Sequence, residues 1–258
     1  MVNFIEQQNK LQVENNQIGL SWIGQAGFGF KDAENIIYHI DPYLSNACSR
    51  TVGYHRMIPP PVEGKEMKTD YVFFTHGHKD HLDPDSVPDI FKTNPTAMFI
   101  GPPTCIKILT KMNIPSNRMV TIERGQCKTI GNAQVKAVRA IHTDDSVGYV
   151  FNVNGVKFYI TGDTTYSDDL ITPIDKDLDL IMTCINGRLG CMNIPDAARL
   201  TAHIQPHYAI PMHVGMFKEN TADPQEFIRQ VEAYSGITKG FIMEHGRWYL
   251  FTKHNGFD

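Results

Sequence analysis

The sequence predicts one domain of the α/β (α+β) class, extending over residues 1–258. Many short apolar runs end at turn-forming residues, which is the pattern of β-strands. Segments with helix-start signals separate several of these runs, and no repeat, low-complexity tract or linker divides the chain. Because a chain of this length can bury a substantial core, a single domain accounts for the whole sequence.

The N-terminal quarter of the chain predicts one weak helix, three strands and a long irregular segment. Residues 2–15 place apolar side chains among polar ones and predict a weakly amphipathic helix. Residues 18–24, 26–30 and 35–40 have the composition and turn boundaries of strands. Residues 44–68 contain three consecutive prolines and no regular pattern. A loop of this length is usually functional.

The middle of the chain alternates between predicted strands and predicted helices. Strands are expected at residues 71–74, 97–100 and 135–140, and helices at residues 86–92 and 104–112. Thr104 is the expected N-cap of the second helix, because a threonine hydroxyl can accept a bond from a free backbone N–H of the first turn.

The second half begins with a predicted β-hairpin. Residues 147–153 and 156–161 flank Asn154-Gly155, a dipeptide that favours the tight turn of a hairpin. Further strands are expected at residues 178–184, 208–212, 241–243 and 248–251, and helices after Pro195 and after Asp223. Asp223 with Glu226 three residues on is a variant of the capping box.

The composition excludes several classes of protein. A formal net charge of -4 argues against a dedicated nucleic-acid or anionic-membrane binder. No stretch approaches the roughly 18 apolar residues that span a bilayer, and the N-terminus lacks a signal-peptide pattern. The five cysteines are widely spaced without a Cys-x-x-Cys pair, as in a reducing compartment. We therefore expect a cytoplasmic protein whose partner is a small molecule, neither nucleic acid nor membrane.

A cluster of metal-ligand side chains follows the strand at residues 71–74. The cluster consists of His76, His78, Asp80 and His81. Several ring nitrogens that approach one another cost free energy unless a cation coordinates them. Imidazole and carboxylate together suit divalent zinc, manganese or iron. A polar surface loop would not require three imidazoles and a carboxylate within six residues.

Three other segments repeat the same arrangement of a β run followed by a candidate ligand. His142 follows residues 135–140, Asp163 follows residues 156–161, and His213 follows residues 208–212. Strand ends converge on one edge of a sheet, where loops vary without disturbing the core. Each of these residues alone could serve as a core histidine or a turn cap; together they predict one metal site.

This set of motifs resembles that of the metallo-β-lactamase superfamily. The resemblance rests on His-x-His-x-Asp-His, a later lone histidine, Gly-Asp-Thr and a last histidine after a strand. It implies a four-layer αβ/βα sandwich with two divalent metals, zinc or manganese with iron as a further candidate, at one edge of the sheets. Carried over by motif position, the first metal is held by His76, His78 and His142, and the second by Asp80, His81 and His213. Asp163 bridges the two metals.

The chain is similar in particular to the L-ascorbate-6-phosphate lactonase-like branch. The segments that carry this likeness lie at residues 22–28, 41–45, 101–105 and 186–193. The resemblance implies hydrolysis of a sugar-acid lactone phosphate and a homo-oligomeric assembly. Members that bind two irons for redox chemistry carry an acidic residue at the position of His78, so this histidine indicates hydrolysis.

The implied chemistry is hydrolysis by a metal-bound hydroxide. Divalent cations lower the pKa of bound water toward 7 and polarise a carbonyl or phosphoryl oxygen. Asp80 and Asp163 are the expected catalytic carboxylates, which orient the nucleophile. The same site suits a phosphodiesterase, which is the second interpretation. The third interpretation is a metal-binding sensor without turnover. The donor of the leaving-group proton is not identified by any motif.

Four further residues are candidates for binding an anionic substrate. Arg188 and Lys218 carry charges that suit phosphate. Asn193 lies in the segment that supports the lactonase likeness, and His245 lies between two predicted strands. Each of the four also fits a solvated or structural role. Asp41 is expected to order the loops near the metals without binding them.

Overall fold

Two β-sheets face each other and carry helices on their outer surfaces in the computed structural model, which describes residues 3–174 and 177–258. Over these ranges the strands are β1 (Gln17–Gly24), β2 (Gly27–Lys31), β3 (Ile37–Ile40), β4 (Tyr71–Phe73), β5 (Met98–Gly101), β6 (Met119–Thr121), β7 (Cys127–Ile130), β8 (Ala133–Arg139), β9 (Val147–Val153), β10 (Val156–Ile160), β11 (Leu180–Cys184), β12 (Tyr208–Met212), β13 (Lys239–Gly240), β14 (Trp248–Thr252) and β15 (Gly256–Phe257). The first sheet has the order β15-β14-β1-β2-β3-β4-β5-β6, and the second has the order β13-β12-β11-β10-β9-β8-β7.

Most of the α-helices form the two outer layers. In chain order they are α1 (Phe4–Lys10), α2 (Ala47–Val52), α3 (Ser86–Thr93), α4 (Pro103–Lys111), α5 (Ile194–Ile204) and α6 (Pro224–Ser235). Helices α1, α3 and α4 pack on the first sheet, and α5 and α6 pack on the second. The predicted four-layer sandwich is therefore confirmed. No helix of the described ranges is long and apolar enough to cross a membrane.

The main core lies between the sheets and is rich in aromatic rings. Phe30 of the first sheet stands edge-on to Phe151 and Phe158 of the second, with ring centroids 5.1 Å apart in both pairs. Phe30 also stacks on Tyr38 of the neighbouring strand at 4.5 Å. Burial of each such ring contributes about 1.5–3 kcal/mol, so this packing holds the sheets together and determines where their edges meet.

The predicted hairpin and the predicted starts of the last two helices agree with the structure. Asn154 and Gly155 connect β9 to β10 with positive φ angles of 53° and 82°. Helix α5 carries a proline in its first turn, and Asn193 caps it by accepting a bond from the Asp196 N–H. Asp223 caps α6 through the N–H of Gln225. These local patterns predict the structure correctly because each depends on backbone angles or hydrogen bonds of residues only a few positions apart.

Helix α2 is a correction to the sequence analysis, which predicted no regular structure over residues 44–68. Its buried side chains Ala47 and Cys48 pack with Tyr43, Met216 and Phe217. A six-residue helix has little stability of its own. Contact with a distant part of the chain therefore stabilises a helix that its local pattern does not specify.

Several edge strands and one N-cap also differ from expectation. Strands β6, β7, β13 and β15 have only two to four residues, too few to show an alternating pattern. Residues 241–243 lie outside the strands, although Phe241 N–H still donates to Ala209 O at 2.9 Å. Pro102 occupies the N-cap position of α4, and Thr104 lies within the helix, where its N–H donates to Asp145 at 2.7 Å.

Candidate metal centre

The predicted ligands meet at one edge of the sandwich, where both sheets contribute strand ends. The His76–His81 segment follows β4 of the first sheet. His142, Asp163 and His213 follow β8, β10 and β12 of the second sheet. His213 adopts a left-handed backbone, with φ of 62°, and its N–H donates to Gln25 O. This conformation is uncommon outside glycine, and it lies where the second sheet meets the β1–β2 turn.

The first group of ligand atoms consists of three imidazoles. His76 Nε2 lies 3.0 Å from His78 Nδ1, and His142 Nε2 lies 3.1 Å from the same atom. The ligand atoms of these three side chains all lie within 4.8 Å of one another. The strand-end arrangement predicted from the sequence therefore brings all three together.

The second group combines two imidazoles with a carboxylate. His213 Nε2 lies 3.5 Å from Asp80 Oδ2, and His81 Nε2 lies 3.8 Å from the same oxygen. His81 and His213 are fully buried, and Asp80 is partly buried. The structure thus brings Asp80, His81 and His213 together, and a further group of His76, His81 and Asp163 connects them to the first three imidazoles.

Asp163 lies between the two groups. Its Oδ2 is 3.3 Å from His213 Nε2, 3.4 Å from His81 Nε2 and 3.7 Å from His142 Nε2. Its Oδ1 and the Nε2 of His81 are buried without a hydrogen-bond partner among the described residues. Buried polar atoms are rarely left unpaired. Two divalent cations shared by these imidazoles and carboxylates would pair them, so the residues fit the metals that the motif implies.

The electrostatics of the two groups differ. Burial lowers the pKa of His76 well below its ordinary value, and the nearby His81 adds to the shift. Burial also lowers the pKa of His213, but Asp163 and Asp80 outweigh it and raise that pKa to about 10. Burial raises the pKa of Asp163, but His213 and His81 outweigh it and hold it well below the usual range. Burial thus favours the neutral form of His76, whereas attraction between opposite charges favours the charged forms of His213 and Asp163.

Asp41 supports the second group from behind. Its carboxylate accepts bonds from the Thr75 N–H at 2.8 Å and the Thr75 hydroxyl at 2.6 Å. Its Oδ2 also lies 2.7 Å from His81 Nδ1. A carboxylate on the far nitrogen of a ligating histidine orients the ring and selects its tautomer, which is the loop-ordering role that the sequence suggested for Asp41.

Gln25 contacts two predicted ligands, although no sequence motif assigns it to the site. Its side-chain amide donates to Asp80 Oδ2 at 2.8 Å and lies 3.0 Å from His213 Nε2. Gln25 belongs to the 22–28 segment that carries the family likeness, but nothing in that segment assigns it a partner 188 positions away. Its left-handed backbone, with φ of 53°, turns the chain from β1 into β2 and toward the ligands.

A cavity of about 590 Å³ opens above the ligand groups. It is lined by Cys48, Thr51, Val52, Tyr54, Gly77, His78, Lys79, Asp80, His142, Asp163, Leu189, His213, Phe217 and Asn220. Among these lining residues, Lys79 is the one lysine or arginine. Helix α2 and Phe217 contribute apolar side chains to this lining. The volume suits a small organic substrate.

The four predicted substrate residues lie outside this lining. Asn193 caps α5, and Lys218 is an exposed neighbour of Phe217. Arg188 is exposed beside Leu189 at the cavity rim. His245 is half-buried, and its Nε2 lies 3.2 Å from Ile23 O. The structure thus brings the predicted metal ligands together but does not bring these four residues into the cavity lining.

Fold and site define a class of metal-dependent hydrolases. A family model for the beta-lactamase superfamily domain matches residues 37–214, and the chain belongs to that superfamily, with the metallo-β-lactamase fold. A UPF0173 metal-dependent hydrolase from Archaeoglobus fulgidus is 28% identical over 251 residues, which is 91% of this chain and 99% of the relative.

Two solved structures share the fold. Igni18, a metallo hydrolase from Ignicoccus hospitalis, aligns with a TM-score of 0.74 and 23% identity over 91% of this chain and 98% of its own. The metallo-beta-lactamase fold protein YhfI from Bacillus subtilis aligns with a TM-score of 0.70 and 17% identity over 91% of this chain and 99% of its own. The particular branch within the superfamily stays a prediction.

Proposed function

We propose that this metal-dependent hydrolase opens the ring of a small anionic lactone, most specifically a sugar-acid lactone phosphate such as L-ascorbate 6-phosphate. The observation that carries the proposal is the convergence of two ligand groups around Asp163 on the floor of a cavity of about 590 Å³. The ligand groups would form a polar reaction centre, and the other residues of the cavity lining would hold the substrate against it.

The ligand groups would hold two divalent cations, zinc or manganese. His76, His78 and His142 would hold one, Asp80, His81 and His213 the other, and Asp163 both. When bound, such cations lower the pKa of water and polarise a carbonyl oxygen. Asp41 and Gln25 orient His81 and Asp80 through the bonds of 2.7 and 2.8 Å described above.

Lys79 supports the choice of an anionic substrate. Lys79 is an exposed residue of the cavity lining, and it lies between the predicted ligands His78 and Asp80 in the sequence. A lysine in this position can bind a phosphate or carboxylate as a point charge. Val52 and Phe217 add apolar surface to the same cavity lining.

The experiment compares hydrolysis of three substrates by zinc- and manganese-loaded protein: L-ascorbate 6-phosphate, the same lactone without phosphate, and bis-p-nitrophenyl phosphate. We expect the phosphorylated lactone to give the highest kcat/KM. His76→Ala should abolish the activity, whereas His203→Ala, at an exposed position of α5, should retain it.

Other outcomes assign another function. A preference for the diester would replace the lactonase with a phosphodiesterase. Equal kcat/KM values for the two lactones would contradict the proposed recognition of the phosphate group. Full metal loading without turnover of any substrate would favour a metal-binding sensor.

A further inference from the structure

Cys191 brings a sulfur atom to the metal centre. Its Sγ and the ligand atoms of His142 and Asp163 all lie within 4.8 Å of one another. The side chain is buried, with 8% of its surface exposed. No motif that predicts the other ligands includes this cysteine, which lies on the loop between β11 and α5.

We propose that the thiolate of Cys191 is an additional ligand of the metal centre, on the side held by His142 and Asp163. The inference rests on the metal centre of the proposed function and does not depend on the substrate. On binding, the cysteine exchanges the proton of its S–H group for a bond from sulfur to the cation, and the proton passes to solvent. The oxidation state of both atoms is unchanged.

Backbone contacts of the residues on either side fix the position of Cys191. Gly190 O lies 3.2 Å from His142 Nδ1, so the residue before Cys191 contacts one ligand. Met192 N–H donates to Thr164 O at 2.8 Å, so the residue after it is tied to the neighbour of Asp163. Cys191 is therefore positioned from both sides by the two segments with which it would share the cation.

The surroundings of Cys191 differ from those of the other buried cysteines. A free buried cysteine usually behaves as a small apolar side chain. Cys48, Cys105 and Cys184 are also buried, and none of them joins a ligand group among the described residues. Cys191 faces an imidazole and a carboxylate, which are partners for a cation.

A sulfur ligand has a chemical consequence for metal preference. Thiolate is a soft donor that favours zinc, whereas manganese favours carboxylate, carbonyl and water. The centre should therefore prefer zinc to manganese more strongly with Cys191 than without it. Replacement of Cys191 by serine, which has nearly the same shape, should reduce the ratio of the two affinities.

Cobalt substitution tests the inference without relying on activity. The full chain is loaded with Co²⁺ alone, and its absorption spectrum is recorded in the presence of a non-thiol reductant. The visible d–d bands report occupancy of the centre, and a near-ultraviolet sulfur-to-cobalt charge-transfer band reports a thiolate ligand. We expect both in the unmutated protein and loss of the charge-transfer band alone in Cys191→Ser.

Two cysteine variants are matched controls. Cys48→Ser removes a thiol from the cavity lining, and Cys105→Ser removes a buried thiol from α4. Both should keep the charge-transfer band. Normal d–d bands without the charge-transfer band in the unmutated protein, or survival of that band in Cys191→Ser, would overturn the inference.

A second measurement covers the case in which Cys191→Ser does not fold. X-ray absorption at the zinc edge of the unmutated protein should show a sulfur neighbour at about 2.3 Å, and a shell of only nitrogen and oxygen would refute it. The outcomes are separable from those of the proposed function. Detection of a sulfur ligand in a protein without hydrolytic activity would support the Cys191 inference and contradict the proposed hydrolysis. Hydrolysis by a protein without a sulfur ligand would have the opposite meaning.

Discussion

Oδ2 of Asp41 lies 2.7 Å from Nδ1 of His81, and both side chains are completely shielded from solvent. The bond directs the other ring nitrogen of His81 toward Asp80 and Asp163. A residue at the end of β3 thereby orients a ligand that follows β4, because these neighbouring parallel strands end at the same edge.

Asp41→Asn should weaken metal binding without removing a ligand. An amide can no longer accept both from Thr75 and from a protonated His81 nitrogen as a carboxylate does, so we expect an affinity loss of about 10–100-fold. Competition with a fluorescent zinc chelator measures it. Asp32→Asn is the matched control, since Asp32 is equally buried but contacts Tyr38 and Asn132. An equal loss in both variants would contradict a specific role.

Lys79→Met should impair binding of an anionic substrate more than its turnover. The variant keeps an unbranched apolar stem and removes the charge. A hydrogen bond to a charged group contributes about 1.5 kcal/mol, so KM should rise about tenfold with kcat nearly unchanged. Steady-state kinetics on the phosphorylated lactone provide the measurement. Lys218→Met, at an exposed lysine outside the cavity lining, should leave both constants unchanged.

His39 should make the stability of the metal-free protein depend on pH. Burial lowers its pKa to about 3 in the folded chain, whereas an unfolded histidine has a pKa of about 6.5. The unfolded state therefore binds the extra proton first as the pH falls. The contribution of neutral His39 is complete above pH ~6.5 and is lost between ~6.5 and ~3, at up to about 1.4 kcal/mol per pH unit.

Urea unfolding in chelator between pH 4 and 8 tests this dependence. His39→Leu removes the titrating ring and should flatten the pH dependence of the unfolding free energy. His203→Leu removes an exposed histidine and should not. Identical pH dependence in the unmutated protein and His39→Leu would exclude His39 as the cause.

Gly155→Ala should destabilise the β9–β10 hairpin. Gly155 has a φ of 82°, and an L-residue with a Cβ atom costs about 1–2 kcal/mol in the left-handed region. The thermal midpoint should therefore fall. In Gly155→Asn the added Cβ meets the same neighbour, Asn16 Oδ1 at 3.0 Å, but asparagine tolerates this conformation better. An equal fall of the thermal midpoint in the two variants would indicate that the contact with Asn16, and not the backbone conformation, causes the loss of stability.

Several features follow from the sequence because their causes are local. The spacing of His76, His78, Asp80 and His81 after an apolar run is a property of one loop, and Asn154-Gly155 contains its own turn preference. The strand-then-ligand arrangement of His142, Asp163 and His213 was also predictable, since parallel strands deliver their ends to a common edge. For these reasons the predicted ligand side chains lie close together in the structure.

Other features depend on packing between distant segments. Gln25 contacts His213 across 188 positions, helix α2 forms against Met216 and Phe217, and Cys191 reaches His142 and Asp163 only when the loop after β11 folds over them. No local pattern distinguishes these residues from ordinary turn, loop or core residues. The sequence by itself determined which side chains are the candidate ligands, through their spacing after the strands. Only the tertiary structure decided what surrounds those side chains, because those contacts exist only after the two sheets have packed together.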